Sequence, residues 1–246
     1  RLCRDWSSDV CSSDLREYGK SGLEKSFNSY LVGASEKTAV NELINLINPV
    51  GVGNNLTLTI DHSLQAKSRD LLSGRKGSII SMDPKTGAIL SMISLPDFNV
   101  NTLTEEWSKV SEDAGSPLFN RSSQGLYTPG SIFKLVTALG VIREGKQDDI
   151  YTCTGTVVID GKEFSDHDKK GHGELNLKAA FTKSCNTYFA SRAVEIGHIR
   201  ILELAEEFVF NRELDFELET SMSVFPKTSG GNTDLAASGI GQGRIM

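Results

Sequence analysis

The spacing of apolar residues changes from strand-like to helix-like within residues 56–72. Apolar and polar residues alternate over 56–60, which predicts a strand. Asp61 follows as a capping residue, and Leu64 and Leu71 then lie at helical spacing. The pattern therefore predicts a strand that leads directly into a capped amphipathic helix.

The remaining pattern predicts strands in the first half of the chain and helices in the second. Two β-forming runs flank the turn residues 83–87 and predict a hairpin. Residues 97–130 are rich in Asp, Asn, Gly and Pro and predict loops. An apolar run over 131–144 predicts a buried helix, and further helices are predicted over 175–196 and 199–208. This order indicates an α/β protein.

Composition narrows the class of protein. The 246 residues are 38% hydrophobic and 24% charged, which suits one globular domain with an appendage or two small domains. The net charge is −6, and Lys and Arg form no stripe, so we expect no nucleic-acid partner. No apolar stretch approaches the roughly 20 residues that span a bilayer.

The first fifteen residues differ from the rest of the chain. Residues 1–15 have no helical or strand periodicity, and they resemble a translated sequencing adapter, so we expect them to be non-native. A genuine disordered N-terminus is the alternative. Without Cys3 and Cys11, only Cys153 and Cys185 remain, too few for a disulfide framework or a zinc set. The cysteines therefore do not indicate whether the protein lies in an oxidising or a reducing compartment.

Ser131 and Lys134 form a Ser-x-x-Lys pair at the start of the predicted buried helix. Residues three apart share a helix face, so the lysine nitrogen is expected to reach the serine hydroxyl. Burial lowers the pKa of a lysine, and free N–H groups at a helix start stabilise an oxyanion. Ser73 and Lys76 match the same pattern, but in a Gly-rich, charged turn. The first pair is therefore the candidate nucleophile and base.

A helix-capping serine and a surface lysine would also explain this pair. A second motif, Ser184-Cys185-Asn186, favours catalysis, because Ser-x-x-Lys and Ser-x-Asn occur together in penicillin-binding proteins and related β-lactamases. Ser184 can relay a proton and Asn186 can hold a peptide backbone. Cys185 has no placed histidine base and is expected to be a buried packing residue.

Longer segments resemble one family. The sequences GLYTPGSIFKLVTA, GHGELNLKAAFTKSCNTYFA, LTLTIDHSLQ and GSIISMDPKTGAILSMISLPDFNVN are similar to the transpeptidase domain of class B penicillin-binding proteins. The resemblance implies the α/β fold of penicillin-binding proteins and serine β-lactamases, an antiparallel sheet flanked by helices with a helical subdomain. It implies that 51–246 is this domain and that 16–50 is the remnant of an N-terminal pedestal module.

The family's third motif, Lys-Thr-Gly on a strand after Ser-x-Asn, is not at its expected place. Residues 85–87 spell it, but they precede Ser131 and lie in the predicted hairpin turn, so we interpret them as a chance match. We expect the true strand, with its substrate-binding lysine, beyond Met246. On this expectation the chain is truncated at both ends, the C-terminal strands are missing, and residues 1–246 alone are inactive. Thr128 and Ile132 depart from the usual family residues without removing a reacting group.

The resemblance implies a D,D-transpeptidase that cross-links peptidoglycan stem peptides ending in D-Ala-D-Ala. Ser131 would be the nucleophile that forms the acyl-enzyme, Lys134 its base, and Ser184 and Asn186 would assist. β-Lactams would acylate Ser131, no cofactor or metal is implied, and a glycosyltransferase is an implied partner. The parent protein would lie on the outer face of the cell membrane. A D,D-carboxypeptidase or serine β-lactamase on the same fold, or a non-catalytic penicillin sensor or scaffold, are the alternatives.

A further group of residues has the side-chain types of metal ligands. They all lie between residues 166 and 174, namely Asp166, His167, Asp168, His172 and Glu174. Their spacing matches no compact zinc motif, and the loop is rich in Lys and Gly. The sequence therefore predicts no metal site here.

Overall fold

The computed structural model describes residues 19, 21–31 and 53–246. The chain folds into two units. The first contains the described residues up to Gly125 together with the short segment Asp215–Thr220, and the second contains Leu126–Leu214 and Ser221–Met246. The predicted boundaries at 15 and 50 lie outside the described residues. The division into an adapter segment, a pedestal remnant and a transpeptidase domain stays a prediction.

The first unit is built on a β-hairpin and one longer helix. Its described elements are α1 (Gly22–Ser26), α2 (Asn28–Leu31), α3 (His62–Leu72), β1 (Gly77–Met82), β2 (Ile89–Leu95) and α4 (Trp107–Ser111). Strands β1 and β2 pair antiparallel, which confirms the predicted hairpin. Helix α3 packs on β2, where the Gln65 side chain both donates to and accepts from the Met92 backbone. The Ser68 and Ser91 hydroxyls, both buried, lie 3.1 Å apart.

The strand predicted over 56–60 is wrong, although the helix after it is confirmed. Residues 53–60 are irregular. The Thr59 hydroxyl donates to the Ile89 carbonyl at 2.6 Å, and the Asp61 N–H donates to the Leu90 carbonyl at 2.9 Å, so a side chain supplies part of the bonding between this segment and β2. Asp61 caps α3 as predicted, because its carboxylate accepts the Leu64 N–H at 2.7 Å.

The second unit combines helices with two antiparallel strand pairs. Its elements are a 3₁₀ turn (Gly130–Phe133), α5 (Lys134–Arg143), β3 (Tyr151–Cys153), β4 (Thr156–Ile159), β5 (Lys162–Ser165), β6 (Gly173–Leu175), α6 (Leu177–Thr182), α7 (Asn186–Ile196), α8 (His198–Glu207) and α9 (Asn232–Gly239). Strand β3 pairs with β6, and β4 pairs with β5. The helices and antiparallel strands agree with the expected α/β class.

The core of the second unit surrounds α7. Its Tyr188, Phe189, Ala190 and Ala193 are fully buried, and the helix packs against α5, α8 and α9. Helix α5 is tied to α9 by the buried Thr137 hydroxyl, which donates to the Gly239 carbonyl at 2.9 Å. This packing holds α5 and the start of α7 in place, and these two helix starts carry the candidate motifs.

Two of the predicted helices begin or end differently in the structure. The helix predicted to open at Ser131 starts instead as a 3₁₀ turn, and α5 begins at Lys134. The predicted continuous helix over 175–196 is broken between α6 and α7. Ser184 has a φ of 51°, a left-handed conformation that no α-helix continues through. The Ser-Cys-Asn sequence is therefore a turn between two helices.

Candidate active site

The turn that carries Ser131 is fixed by a close backbone approach. Gly130 has a φ of 59°, and its N–H donates to the Gly241 carbonyl at 2.8 Å. A Cβ placed on Gly241 would lie 1.9 Å from the Gly130 oxygen, so only glycine fits there. Ser131 itself is exposed. The loop after α9 thus supports the backbone immediately before an accessible serine.

Replacing Gly241 by alanine is expected to displace this turn. The φ of Gly241 is 74°, and the added methyl group would collide with Gly130 backbone atoms. Gly145→Ala is the matched control, because Gly145 has a φ of 71° with nothing within 4 Å of the added carbon. We expect Gly145→Ala to cost about 1 kcal/mol in the free energy of unfolding and Gly241→Ala several times more. Equal losses in urea unfolding would contradict this close-approach account.

Lys134 lies at the start of α5 with its ammonium group buried. Its Nζ donates to the Ser184 carbonyl at 2.7 Å, to the Ser184 hydroxyl at 3.0 Å and to Asn186 Oδ1 at 2.7 Å. Nζ also lies 5.6 Å from the centre of the Phe189 ring. Desolvation by burial lowers the pKa of Lys134, although Cys185 and Asp166 oppose the shift. The lysine is therefore oriented and predisposed to lose its proton.

The candidate nucleophile is linked to this lysine through Ser184. The Ser184 hydroxyl donates to Ser131 Oγ at 3.2 Å and accepts from Lys134. The sequence predicted a direct bond from Lys134 to Ser131, but among the hydrogen bonds of the described residues the connection runs through Ser184. When Lys134 loses a proton, the same chain can reverse and carry the Ser131 proton to the amine.

Asp166 holds the Ser-Cys-Asn turn in place through hydrogen bonds to the start of α7. Its buried carboxylate accepts the Asn186 backbone N–H and, at 3.2 Å, the Thr187 hydroxyl. The neighbouring Ser165 carbonyl accepts from the Asn186 side chain at 3.0 Å. Burial opposes ionisation, but hydrogen bonds from Cys153, Asn186 and Thr187 lower the pKa of Asp166 overall. Ser165 and Asp166, at the end of β5, therefore fix the position of Asn186, which in turn accepts a hydrogen bond from Lys134.

A donor set for a metal ion lies beside this turn. Cys153, Asp166, His172 and Cys185 each offer one ligand atom, and these atoms all lie within 4.8 Å of one another. Two thiols, an imidazole and a carboxylate are the ligand types that zinc accepts in tetrahedral sites. Ionisation of the thiols would be required on binding. The set could hold a zinc-class ion that ties β3, β5 and the start of α7 together.

The sequence missed this arrangement because its members come from separate segments. Of the five residues grouped over 166–174, only Asp166 and His172 belong to the cluster in the described part of the chain. The other two ligands, Cys153 and Cys185, come from the strand before the loop and the turn after it. Cys185 is fully buried, as predicted, and it also participates in this polar cluster.

The two chance matches to the family motifs lie in the first unit. Ser73 is the C-terminal cap of α3, and Lys76 donates to the Ala114 carbonyl. Residues 85–87 form the turn between β1 and β2, as expected. All four predicted site residues lie in the second unit, and hydrogen bonds connect them to one another. The roles assigned to these four residues stay predictions.

Known proteins share both the sequence and the fold of this chain. The family described as "Penicillin binding protein transpeptidase domain" matches residues 77–246, which is more than half of the chain. The chain belongs to the penicillin-binding protein transpeptidase family. This confirms the resemblance to class B members. Peptidoglycan D,D-transpeptidase MrdA of Acinetobacter baumannii is 32% identical over 225 residues, which cover 85% of this chain and 34% of that relative. The chain thus spans about a third of the length of this curated relative.

Solved structures of the family agree with the fold. The D,D-transpeptidase domain of a peptidoglycan glycosyltransferase from Eggerthella lenta is 33% identical with a TM-score of 0.76, covering 94% of this chain and 53% of that one. Penicillin-binding protein A from M. tuberculosis, solved as an imipenem acyl-enzyme, is 24% identical with a TM-score of 0.83, covering 95% of this chain and 58% of that one. The predicted penicillin-binding protein fold is confirmed.

Proposed function

We propose that this chain carries the nucleophile and base of a peptidoglycan D,D-transpeptidase. The observation that supports the proposal most strongly is the chain of hydrogen bonds from Lys134 through Ser184 to Ser131. It joins a buried lysine with a lowered pKa to an exposed serine, which is what a base and its nucleophile require. The peptidoglycan D,D-transpeptidases among the relatives support the choice of reaction.

The proposed acylation begins with neutral Lys134. The Ser131 hydroxyl attacks the carbonyl of the penultimate D-alanine in a stem peptide that ends in D-Ala-D-Ala, and its proton passes through Ser184 to Lys134. The terminal D-alanine leaves with a proton returned along the same path. An amine of a second stem peptide then attacks the acyl-enzyme carbonyl, so that the cross-linking amide forms, the ester bond to Ser131 breaks, and a proton of the amine passes to the Ser131 oxygen. Asn186 holds Lys134 in place and is available to bind the substrate backbone.

β-Lactams are proposed to acylate the same serine. Their reactive amide would meet Ser131 in place of the stem peptide, and the related M. tuberculosis protein is known as acyl-enzyme complexes with imipenem, ceftriaxone and penicillin G. Because that protein is only 23–24% identical to this chain, the likeness shows a shared fold and no more. Acylation of this chain by β-lactams is therefore a prediction of the proposed function.

Location and partners are also proposals. We place the protein on the outer face of the cell membrane, where peptidoglycan is cross-linked. Within the described residues, no helix is both long and apolar enough to cross a bilayer. A penicillin-binding protein of this fold from Helicobacter pylori has been solved in complex with MreC, which supports a protein partner of that kind. A glycosyltransferase that supplies glycan strands is the second proposed partner.

Product analysis tests the proposed reaction. The protein, produced from the complete reading frame that contains this chain, would be incubated with a stem pentapeptide ending in D-Ala-D-Ala and an acceptor amine. Mass spectrometry should detect the amide formed with the acceptor and released D-alanine. Hydrolysed peptide alone would indicate a carboxypeptidase. Rapid turnover of penicillin would indicate a β-lactamase, and stable labelling by penicillin without turnover of the peptide would indicate a sensor.

A further inference from the structure

The 3₁₀ turn Gly130–Phe133 presents its two middle residues to solvent. Ser131 is exposed, and Ile132 is 71% exposed. The residues that flank this pair are held by the protein: Gly130 donates the backbone hydrogen bond described above, and Phe133 is buried with 2% of its surface exposed. The position of the Ser131 hydroxyl therefore depends on the anchor that precedes it and on the anchor that follows it.

The second anchor, Phe133, packs against two other aromatic rings. Its ring stacks on Phe225, with 5.7 Å between the ring centres and 11° between the planes. Phe210 meets the same ring edge to face, with 5.6 Å between the centres and 89° between the planes. Both are arrangements that aromatic pairs prefer. The two contacts orient the Phe133 side chain and with it the backbone between Ser131 and Lys134.

Backbone hydrogen bonds hold the segment that carries Phe225. Val224 exchanges two of them with Met246, at 2.6 and 3.0 Å. The Phe225 N–H donates to Asn211 Oδ1 at 3.1 Å, and the Asn211 N–H donates to the Ser223 carbonyl at 2.8 Å. Phe225 itself is 1% exposed. Its ring is therefore fixed independently of the turn that it supports.

We propose that Phe225 is a positioning residue of the acylation reaction. Its ring holds Phe133, and with it the backbone that carries Ser131, so that the nucleophile stays within reach of Ser184. The two hydroxyl oxygens are 3.2 Å apart, longer than the roughly 2.7–2.8 Å that is typical of such a bond, so a small shift of the turn breaks it. Lys134, in contrast, has three hydrogen bonds of its own, at 2.7, 2.7 and 3.0 Å.

Replacing Phe225 by leucine is expected to slow acylation without weakening the initial binding of penicillin. Leucine is apolar but lacks the flat face on which Phe133 stacks. Because a misplacement of about 1 Å costs about 100-fold in rate, the maximal acylation rate should fall about 10- to 100-fold. The penicillin concentration at half-maximal rate should stay the same, since the buried Phe225 ring contacts no ligand. Phe225→Tyr keeps the ring and should restore most of the rate.

Rapid mixing with a fluorescent penicillin measures both quantities in the protein made from the complete reading frame. Leu204→Ala is the matched control for a general loss of stability, because Leu204 is buried in α8 and lies against Gly140, in the second half of α5. This variant should lower the midpoint of urea unfolding at least as much as Phe225→Leu, since it leaves a larger cavity, and yet acylate at the normal rate. Phe225→Met also lacks the ring and replaces Phe225→Leu if the latter does not fold.

Three outcomes of this comparison would overturn the proposal. They are a normal maximal rate without the Phe225 ring, an equal loss of rate in Leu204→Ala, and a loss in Phe225→Tyr as large as that in Phe225→Leu. The effect on acylation rests on the proposed function, whereas the ring contact does not. Absence of labelling in the unchanged protein would contradict the proposed function instead.

A double-mutant cycle of urea unfolding tests the ring contact without reference to activity. Phe133→Leu and Phe225→Leu would be measured singly and together. Because the two rings stack on each other, the double variant should lose less free energy of unfolding than the sum of the single losses. Additive losses would show that the contact does not couple the two residues and would overturn the proposal, whatever the labelling experiment finds.

Discussion

Replacing Ser131 by alanine is expected to abolish covalent labelling by penicillin. The hydroxyl is the only group of the candidate site that both lies exposed and ends the hydrogen-bond chain from Lys134 through Ser184. Removal of a catalytic serine lowers turnover by a factor on the order of 10⁶ in serine hydrolases, so no adduct should be detectable. Labelling would be followed by gel fluorescence in the protein made from the complete reading frame.

Ser73→Ala is the matched control for this variant. Ser73 also precedes a lysine by three residues, but it caps the end of α3 in the other unit. Its replacement should leave the labelling rate unchanged. Because Ser131 is exposed, Ser131→Ala should unfold at the same temperature as the unchanged protein. Labelling that survives in Ser131→Ala, or that disappears in Ser73→Ala, would show that the nucleophile has been assigned wrongly.

Replacing Lys134 is expected to have the second-largest effect. General base catalysis contributes about 100- to 10,000-fold, so Lys134→Ala should slow acylation by that factor. Lys134→Arg should be equally slow, since a guanidinium does not lose its proton near neutral pH. Lys76→Ala, which changes the lysine of the chance match, should acylate normally. Normal acylation by Lys134→Arg would exclude the lysine as the base.

The pKa of Lys134 is expected to determine how the acylation rate depends on pH. The free amine is the active form, so the rate should rise as pH rises through the pKa of Lys134. Desolvation lowers this pKa from its usual value of 10.5, which places the rise on the acid side of that value. Rates of penicillin acylation over about pH 6 to 10 would show this limb, and Lys134→Arg should lack it. A rate that does not change with pH over this interval would contradict proton transfer to Lys134.

The helix-forming pattern and two short motifs were enough to predict which residues meet. Ser131 and Lys134 were identified from their spacing at the start of an apolar run, and Ser184 and Asn186 from a motif that accompanies such a pair in penicillin-binding proteins. The structure joins all four by hydrogen bonds. The spacing of an ideal helix predicts a direct hydrogen bond between Lys134 and Ser131, whereas Ser131 lies in a 3₁₀ turn and the described hydrogen bonds connect the two residues through Ser184. The path of the proton stays a prediction. Spacing within one helix also contains no information on a second segment that lies between nucleophile and base.

Tertiary contacts determine the features that the sequence did not reveal. Asp166 was considered only as a member of a loop cluster, yet its carboxylate fixes Asn186, 20 residues further along the chain. Periodicity cannot report such a contact. Similarly, the alternating pattern of 56–60 predicted a strand, but the segment is irregular and the Thr59 hydroxyl donates to the Ile89 carbonyl. Local patterns predicted the type of most elements, while side chains that bond to distant backbone groups decided the exceptions.

The central claim is that Ser131 is the acylated nucleophile, and the direct test is to locate the adduct. The protein made from the complete reading frame would be incubated with benzylpenicillin, denatured, digested with trypsin and analysed by tandem mass spectrometry. We predict a penicilloyl group on the tryptic peptide 122–134, with fragment ions that place it on Ser131. An adduct on Ser73 or Ser184, or no adduct on any peptide, would contradict this account.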